Sequence, residues 1–292
     1  AAKDLDRPVK WTGDRTEHFL VDDQARDNRS KVELALDADG AFLAFRVTTT
    51  ANLGAYLTMF GPHSSTNNLG TLAGTYTTPA IYTHVTGVFS NTPSTGPYRG
   101  AGRPEAAYVL ERAIDTAAAE LNIDPAELRR RNYIPESAIP FQTGLVFNYD
   151  SGQFEKNMDT ALDMIGYDGF AARQDASKAA GKLRGIGISN VIEQAAGGFP
   201  EWAEIRFDPS GTVTVVMGTH NHGQGHETVF RQMLADKLGL EFEKIRYQQG
   251  DTTGGMAGTG TFGSRSTSVG GSSLLLAADK VVDKARRMAS HQ

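Results

Sequence analysis

A glycine-rich turn with two arginines, directly ahead of an amphipathic helix, constrains this 292-residue chain more than any other feature. We call residues 96–105, Gly-Pro-Tyr-Arg-Gly-Ala-Gly-Arg-Pro-Glu, the arginine turn. Its glycines let the backbone adopt positive φ or approach a ligand closely, and Pro104 suits the first position of a helix. The free N–H groups and the positive dipole end of that helix attract anions, as do the two guanidinium groups. The turn therefore predicts a binding site for an anionic ligand.

The composition favours a small ligand over a polymer. The formal net charge is −5, so the chain lacks the basic footprint of a nucleic-acid-binding protein. Neither a membrane-spanning apolar run nor a signal peptide is recognisable in the sequence. Cysteine is absent, which excludes disulfides, thiolate metal sites and iron–sulfur ligation by this chain and fits a cytoplasmic location. The chain lacks an initial methionine and ends in a helical pattern, so we expect a piece of a longer polypeptide.

Residue patterns in the first half of the chain predict a hairpin, a further strand and two helices. The hairpin joins residues 32–36 and 41–47 through an Asp-Gly turn, and the further strand lies near 81–89. The first helix runs from 104 to about 122, and the second begins after the N-cap Asp124, with Glu127 as capping-box partner. The apolar face of the first helix consists of Ala106, Leu110, Ala113, Ile114, Ala117 and Leu121.

In the second half, strands and helices are interspersed after a proline-containing connection. The expected strands span residues 183–192, 202–207, 212–217 and 244–248. The expected helices span residues 154–165, 169–180 and 226–238, and a last one begins at 272. The inward residues of the last helix are Leu275, Ala278, Val282 and Ala285. The order of elements lacks a regular β-α-β alternation, which predicts an α+β fold with mixed sheets and packed helices.

A second ligand-binding candidate, the Gly-Gln-Gly loop at residues 218–225, lies between a predicted strand and a predicted helix. Gly223 and Gly225 flank Gln224, whose amide can bind the polar edge of a heterocycle. The alternative is an ordinary glycine-rich turn. A zinc site formed by the loop histidines and His226 is disfavoured, because no thiolate exists and Glu227 belongs to the helix start. No metal ligand is predicted.

The third candidate, the Gly-Ser-Arg-Ser loop at residues 258–267, has the composition of a phosphate-binding nest. It combines small hydroxyl residues and glycines with Arg265, directly before a helix. The alternative is a flexible surface loop, although long irregular segments in compact domains are commonly functional. Neither loop has the signature of a P-loop or of the common dinucleotide-binding fold, and no serine-hydrolase elbow occurs.

In this order, the three segments resemble those of the molybdenum hydroxylase large subunits, the family of xanthine dehydrogenase, aldehyde oxidase and aerobic carbon-monoxide dehydrogenase. Residues 98–106 resemble the active-site loop of that family, and residues 223–227 resemble its molybdopterin-contacting Gly-Gln-Gly loop. Residues 250–252 and 263–266 resemble the stretch that holds the pterin and the dinucleotide phosphates. The resemblance covers nearly the whole chain.

The resemblance implies roles for individual residues. Arg99 matches the arginine near the metal and the substrate and is the expected catalytic residue, and Gln224 matches the pterin-binding glutamine. The other cofactor-binding residues implied by the resemblance are Tyr98, Gly100, Gly223, Gly225, His226, Gly263, Ser264, Arg265 and Ser266.

The implied cofactor is a molybdenum–molybdopterin dinucleotide, with cytosine as the expected base. The implied reaction hydroxylates an aldehyde or an N-heterocycle with oxygen from water, and a glutamate acts as the base. The resemblance also implies iron–sulfur and FAD centres on partner chains or segments of an oligomeric cytoplasmic complex. The partners are therefore a small-molecule substrate and redox subunits, without nucleic acid or membrane.

Two departures from the family pattern refine this expectation. Gly100 stands where the copper-containing carbon-monoxide dehydrogenases have a cysteine, which argues against carbon monoxide as substrate. The Gly-Val-Gly-Glu motif that carries the base and the Gly-Gly-Phe-Gly-Gly loop are both missing from this sequence. The chain is thus predicted to be the central part of a two-domain molybdopterin-binding subunit.

Within that subunit, residues 1–140 are assigned to the first molybdopterin-binding domain, 141–181 to a connecting helical segment and 182–292 to the second domain. An alternative function is a split or degenerate subunit that binds the pterin dinucleotide, or another anionic nucleotide, without catalysis of its own.

Overall fold

Two units, each built around its own three-stranded mixed sheet, make up the chain. The computed structural model describes residues 1–195, 198–252 and 258–291. The units comprise Ala1–Glu193 and Gln194–Gln292. Helices pack against both sheets in an irregular order of elements, so the predicted α+β class is confirmed. Among the described helices, none is long and apolar enough to cross a membrane.

The sheet of the first unit begins with the predicted hairpin. β1 (Asn28–Leu36) runs antiparallel to β2 (Phe42–Asn52), and β3 (Ala80–Val88) lies parallel to β2 on its other side. The carboxylate of Asp37 closes the hairpin connection by accepting hydrogen bonds from the N–H groups of Asp39 and Ala41, at 3.0 and 2.8 Å. The hairpin and the third strand are therefore confirmed.

The helices of the first unit are α1 (Ala2–Leu5), α2 (Arg15–Val21), α3 (His63–Thr66), α4 (Arg103–Leu121), α5 (Pro125–Arg130), α6 (Phe154–Ile165) and α7 (Phe170–Ala179). Apolar residues of α4, α5 and α6 are buried in the core, whereas α1, α2 and α7 bury none. A short ladder of β4 (Phe141–Gln142) and β5 (Asn148–Tyr149) lies between α5 and α6. The predicted long helix is confirmed as α4, which buries Leu110 and Ile114. Leu121 is 41% exposed, contrary to the prediction, because α4 ends there and Asn122 turns left-handed.

Arg129 of α5 is completely buried and ties α5 to α4. Its guanidinium donates to the carboxylate of Glu111 at 2.9 Å and pairs with Asp115 at 2.9 Å. Tyr76 donates its hydroxyl to the other carboxylate oxygen of Glu111 at 2.7 Å. Burial raises the pKa of the Glu111 carboxyl, and the Arg129 charge opposes this effect. The buried charges are tolerated because each is paired and hydrogen-bonded.

The strand predicted for residues 183–192 is wrong. The segment pairs with no strand, and side chains of the core hold it instead. Arg129 donates to the carbonyl oxygen of Ile188 at 3.0 Å, and the amide of Asn190 donates to the Tyr76 hydroxyl at 3.1 Å. Buried side chains thus bond polar groups of this segment, among them the Ile188 carbonyl oxygen, which a neighbouring strand would otherwise have bonded.

The capping box predicted for α5 is half formed. The carboxylate of Asp124 accepts from the N–H groups of Ala126 and Glu127 at 2.8 and 3.0 Å, as an N-cap does. The carboxylate of Glu127 instead pairs with Arg130 and Arg131, at 3.3 and 3.0 Å. The Glu127 carboxylate therefore pairs with two guanidinium groups one turn away and not with the backbone N–H of Asp124.

The second unit contains three of the four strands predicted for the second half. β6 (Ala203–Phe207) runs antiparallel to β7 (Val213–Met217), and β8 (Ile245–Gln248) runs parallel to β7. α8 (His226–Leu238) connects β7 to β8 as predicted, and α9 (Ser272–Ala289) packs against α8 and β6. The core residues are Val213, Val215, Met217, Phe230, Leu234, Ile245, Leu274 and Ala278.

The inward face of α9 differs from the prediction at two of its four positions, because Leu275 and Ala285 are both exposed. Leu274 and Ala278 are completely buried, whereas Leu275 is 37% exposed. A π-helical turn, Ser266–Gly271, comes directly before α9. A π-helical turn contains more residues than an α-helical turn. The buried face of α9 therefore begins at a different residue from the one that α-helical spacing predicts.

Replacing Arg129 by methionine should lower the free energy of unfolding by about 3–5 kcal/mol, because Glu111 is left as a buried, unpaired charge. The matched control is Arg112→Met, which removes an exposed arginine of α4. This variant should change the free energy of unfolding by less than about 0.5 kcal/mol. Urea-induced unfolding of both variants measures the difference. Equal losses in the two variants would contradict the role assigned to Arg129.

Candidate functional site

The arginine turn lies between β3 and α4, and its backbone is left-handed over three successive residues. The φ angles are 92° at Gly100, 46° at Ala101 and 104° at Gly102. The N–H of Ala101 donates to the carbonyl oxygen of Tyr98 at 2.8 Å, and that of Arg103 donates to Gly100 at 3.1 Å. Because glycine adopts positive φ without steric cost, two of the three positions suit the conformation well. α4 begins at Arg103, one residue before the predicted Pro104.

The two arginines of the turn have different environments. The Arg103 side chain is only 12% exposed and pairs with Glu193 at 3.0 Å. The Arg99 side chain is exposed, and it has no hydrogen bond or ion pair with any described residue. Arg103 therefore holds the start of α4, whereas Arg99 is available to a ligand.

Arg26 contacts the turn from outside the motif, and the sequence patterns did not indicate it. Its guanidinium donates to the carbonyl oxygens of Tyr98 and Arg99 at 3.1 and 2.5 Å. It also pairs with Glu105, in the first turn of α4, at 3.1 Å. No recognisable motif surrounds Arg26, so only the three-dimensional structure identifies this contact.

The Gly-Gln-Gly loop connects β7 to α8 and leaves open space at its glycines. Gly223 and Gly225 have φ of 103° and 80°, and a Cβ placed on either would meet no atom within 4 Å. The amide oxygen of Gln224 accepts from the His222 N–H at 2.5 Å. The amide nitrogen of Gln224 has no partner within the described part of the chain. A ligand can therefore approach the backbone closely and accept a hydrogen bond from Gln224.

His226, the first residue of α8, is buried without a hydrogen-bond partner. The residue is 4% exposed and packs against Phe230, and neither ring nitrogen is bonded to any described residue. Burial lowers the pKa of His226, and the nearby His222 and His220 lower it further, so the ring is neutral at pH 7. A buried imidazole without partners is costly unless a ligand or water bonds to it. In the described ranges, no three His, Asp or Glu side chains converge to hold a metal ion.

In the Gly-Ser-Arg-Ser loop, the Arg265 side chain lies inside the protein. The side chain is completely buried and forms an ion pair with Glu201, whose side chain is equally buried. It also donates to the carbonyl oxygens of Gly260, Phe199 and Pro200, at 2.7, 2.7 and 2.8 Å. The Nε–H of this guanidinium has no hydrogen-bond partner among the described residues, and the expected binding of Arg265 to phosphate stays a prediction.

The residues on either side of Arg265 remain accessible. Ser264 is exposed with φ of 55°, and a Cβ placed on Gly263 would meet no atom within 4 Å. The Ser266 hydroxyl donates to Thr261 at 3.2 Å. These residues present small polar groups and backbone beside open space, as a phosphate-binding loop requires.

Glu201, which the sequence analysis did not single out, brings the two loops of the second unit together. Its carboxylate accepts from the N–H groups of Thr259 and Gly260, at 3.1 and 3.2 Å. A Cβ placed on Gly218 would lie 2.2 Å from this carboxylate and 2.8 Å from the Cα of Gly258. The backbones of the Gly-Gln-Gly and Gly-Ser-Arg-Ser loops therefore lie in direct contact. The only sequence signal was the glycine content of both loops.

Together, these features fit an extended ligand with an anionic part and a heterocyclic part. The donors are the free amide nitrogen of Gln224 and the N–H groups at the start of α8, where the cap residue Gly225 supplies no side chain. The unbonded ring nitrogens of His226 add a further polar contact. The chemistry of this set matches a pterin bearing a dinucleotide, so the residues present fit such a group.

Replacing Gly218 by alanine should destabilise the second unit by about 1–3 kcal/mol, because the new methyl group overlaps the Glu201 carboxylate and the Gly258 backbone. The matched control is Gly198→Ala, since a Cβ at Gly198 meets no atom within 4 Å. Hydrogen exchange and thermal unfolding of both variants measure the effect. A Gly218→Ala variant as stable as the control would show that the two loops do not pack as described.

The chain matches the molybdopterin cofactor-binding domain family twice, at residues 1–133 and at residues 160–292. It is 37% identical to the carbon monoxide dehydrogenase large chain of Hydrogenophaga pseudoflava, over 98% of this chain and 38% of that protein. It is 33% identical to the nicotine 6-hydroxylase large subunit of Paenarthrobacter nicotinovorans, over 97% of this chain and 36% of that protein. The chain thus spans less than two fifths of the length of these relatives.

Solved structures agree with the sequence comparison. CO dehydrogenase from Oligotropha carboxidovorans superposes with a TM-score of 0.87 at 36% identity, covering 99% of this chain and 39% of that one. Quinoline 2-oxidoreductase from Pseudomonas putida 86 superposes with a TM-score of 0.87 at 32% identity, covering 96% and 37%. The chain therefore belongs to the family of molybdenum hydroxylase large subunits and is built from molybdopterin cofactor-binding domains.

Proposed function

We propose that the chain binds a molybdenum–molybdopterin dinucleotide, with cytosine as its base, in an enzyme that hydroxylates an aldehyde or an N-heterocycle. One observation carries the proposal: the Gly-Gln-Gly loop leaves unpartnered polar groups and open glycines at a helix start, in a chain of this family. In this assignment, residues 1–140 and 182–292 belong to the first and second cofactor-binding domains, and residues 141–181 connect them.

The Gly-Gln-Gly loop is proposed to meet the pterin. The amide nitrogen of Gln224 would donate to the polar edge of the heterocycle, and His226 would bond to it through a ring nitrogen. Gly223 and Gly225 let the ligand approach the backbone. Tyr98 and Gly100 would flank the cofactor from the arginine turn, as the resemblance of that turn implies.

The Gly-Ser-Arg-Ser loop is proposed to bind the dinucleotide phosphates. Gly263 and Ser264 are exposed. The Ser266 hydroxyl beside them donates to Thr261, and it would exchange that hydrogen bond for one to a phosphate oxygen. Arg265 is proposed to take part as the resemblance implies, and it also holds the loop, since its guanidinium bonds Glu201 and backbone carbonyl oxygens. Its buried charge is thus a fixed support for the residues that touch the ligand.

When bound, the cofactor supplies a Lewis acid and an acceptor for two electrons. Arg99 is proposed as the catalytic residue of this chain. Its exposed guanidinium would orient the substrate and stabilise negative charge that develops on a carbonyl oxygen or a ring nitrogen. The inserted oxygen comes from water, and the glutamate base is expected outside these 292 residues.

The identity of residue 100 supports hydroxylation over oxidation of carbon monoxide. A glycine stands there, and the chain contains no cysteine that could bind copper through sulfur. Two similar proteins are named for action on N-heterocycles: the nicotine 6-hydroxylase and the quinoline 2-oxidoreductase. A heterocyclic or aldehyde carbon is therefore the proposed site of attack.

Electrons that leave the molybdenum centre need further redox groups. Iron–sulfur ligation requires thiolates that this chain lacks, so we propose that iron–sulfur and FAD centres lie on partner subunits or segments. The similar proteins named as a large chain and a large subunit support such an assembly. We place the complex in the cytoplasm, for which the cysteine-free composition is the supporting observation.

The Arg99→Ala variant of the full-length holoenzyme should lose turnover by about 100-fold or more, because a charge-stabilising donor is removed. Molybdenum and nucleotide content per chain should stay near the wild-type values. Steady-state kinetics with a panel of aldehydes and N-heterocycles and an artificial electron acceptor, together with elemental analysis, measure both quantities.

The matched control is Arg29→Ala, which removes an exposed arginine of β1 and should leave kcat unchanged. Loss of molybdenum in Arg99→Ala would instead place Arg99 among the groups that hold the cofactor. Full turnover in Arg99→Ala would remove it from the active site altogether.

A further inference from the structure

Arg26 contacts the arginine turn from outside it through hydrogen bonds and an ion pair. Its guanidinium bridges the carbonyl oxygens of Tyr98 and Arg99 and the carboxylate of Glu105. The guanidinium carbon also lies 5.9 Å from the centre of the Tyr98 ring. The Arg26 side chain is 32% exposed and that of Glu105 is 15% exposed, so both ends of the ion pair are partly shielded from water.

We propose that Arg26 is the positioning residue of Arg99, a role that rests on the function proposed for Arg99. The turn is left-handed at Gly100, Ala101 and Gly102, so its backbone is not stabilised by a regular helix or strand. Arg26 fixes the peptide groups of Tyr98 and Arg99 to the first turn of α4 through Glu105. The backbone from which the Arg99 side chain extends is thereby tied to a helix of 19 residues.

The shape of the guanidinium explains why an arginine is needed at this position. Its N–H groups form a planar fork that bonds two neighbouring carbonyl oxygens and lies within ion-pair distance of the Glu105 carboxylate, whereas a lysine ammonium is a point charge. The same ion pair also reduces the net positive charge beside the turn. Glu105 neutralises Arg26, so the positive charge of Arg99 is not opposed by a second unpaired cation beside it.

The test uses the full-length holoenzyme with its partner subunits, in the variants Arg26→Ala, Arg26→Lys and the control Arg29→Ala. In Arg26→Ala, kcat should fall about 10- to 100-fold with little change in KM and in molybdenum content, because a misplaced group loses rate rather than binding. Methylguanidinium in the assay buffer should restore part of the kcat of Arg26→Ala, and should not affect Arg29→Ala. Arg26→Lys should remain impaired.

Hydrogen exchange supplies a readout that does not depend on turnover. The amides of residues 98–103 should exchange faster in Arg26→Ala and Arg26→Lys than in the wild type, while those of α5 should not change. Wild-type exchange and wild-type kcat in Arg26→Ala would overturn the proposal. If Arg26→Ala does not fold, the same two results in Arg26→Lys would overturn it.

The outcomes separate this proposal from the proposed function. A wild-type enzyme without molybdenum or turnover would refute the proposed function, and the exchange of residues 98–103 would still decide whether Arg26 holds the turn. Normal exchange in the variants of an active enzyme would refute the positioning role alone.

Discussion

Each unit of the chain depends on a fully buried arginine that is paired with a buried glutamate. Arg129 with Glu111 ties α4, α5 and an irregular segment together in the first unit. Arg265 with Glu201 holds the Gly-Gln-Gly and Gly-Ser-Arg-Ser loops in the second. A buried pair of this kind adds little net stability, but the loss of either partner leaves an uncompensated charge. The pairs therefore act by fixing geometry, since each guanidinium also bonds carbonyl oxygens of segments that lack regular structure.

Local patterns predicted the regular elements, because periodicity and capping act over a few residues. The hairpin, α4 and α8 follow from alternation, from the 3.6-residue repeat and from glycine stops. The positions of Arg26, Glu201 and Arg265 depend on contacts between residues distant in sequence, which no local pattern encodes. Arg265 was predicted to bind phosphate because arginine and serine in a glycine-rich loop have that composition, and its guanidinium also bonds carbonyl oxygens inside the fold. Residues 183–192 were predicted to form a strand, but none of the described strands pairs with them.

Glycines serve two purposes in the candidate site, and the structure separates them. At Gly218 and Gly258, backbones lie so close together that a side chain would collide with a neighbouring residue. At Gly223, Gly225 and Gly263, φ is positive and the space beside the backbone is open. The first kind holds the loops in place, and the second kind leaves room for a ligand. Both kinds occur within the part of the chain that matches the second molybdopterin cofactor-binding domain.

The central claim is that these loops hold a molybdenum–molybdopterin dinucleotide. Elemental analysis for molybdenum, with nucleotide released by acid, on the native protein purified from its source together with its co-purifying subunits tests that claim most directly. The account predicts about one molybdenum and one cytidine nucleotide per large chain, the stoichiometry of a single bound cofactor. A fully matured, full-length protein without molybdenum would contradict the account and leave the loops as a binding site for another anionic ligand.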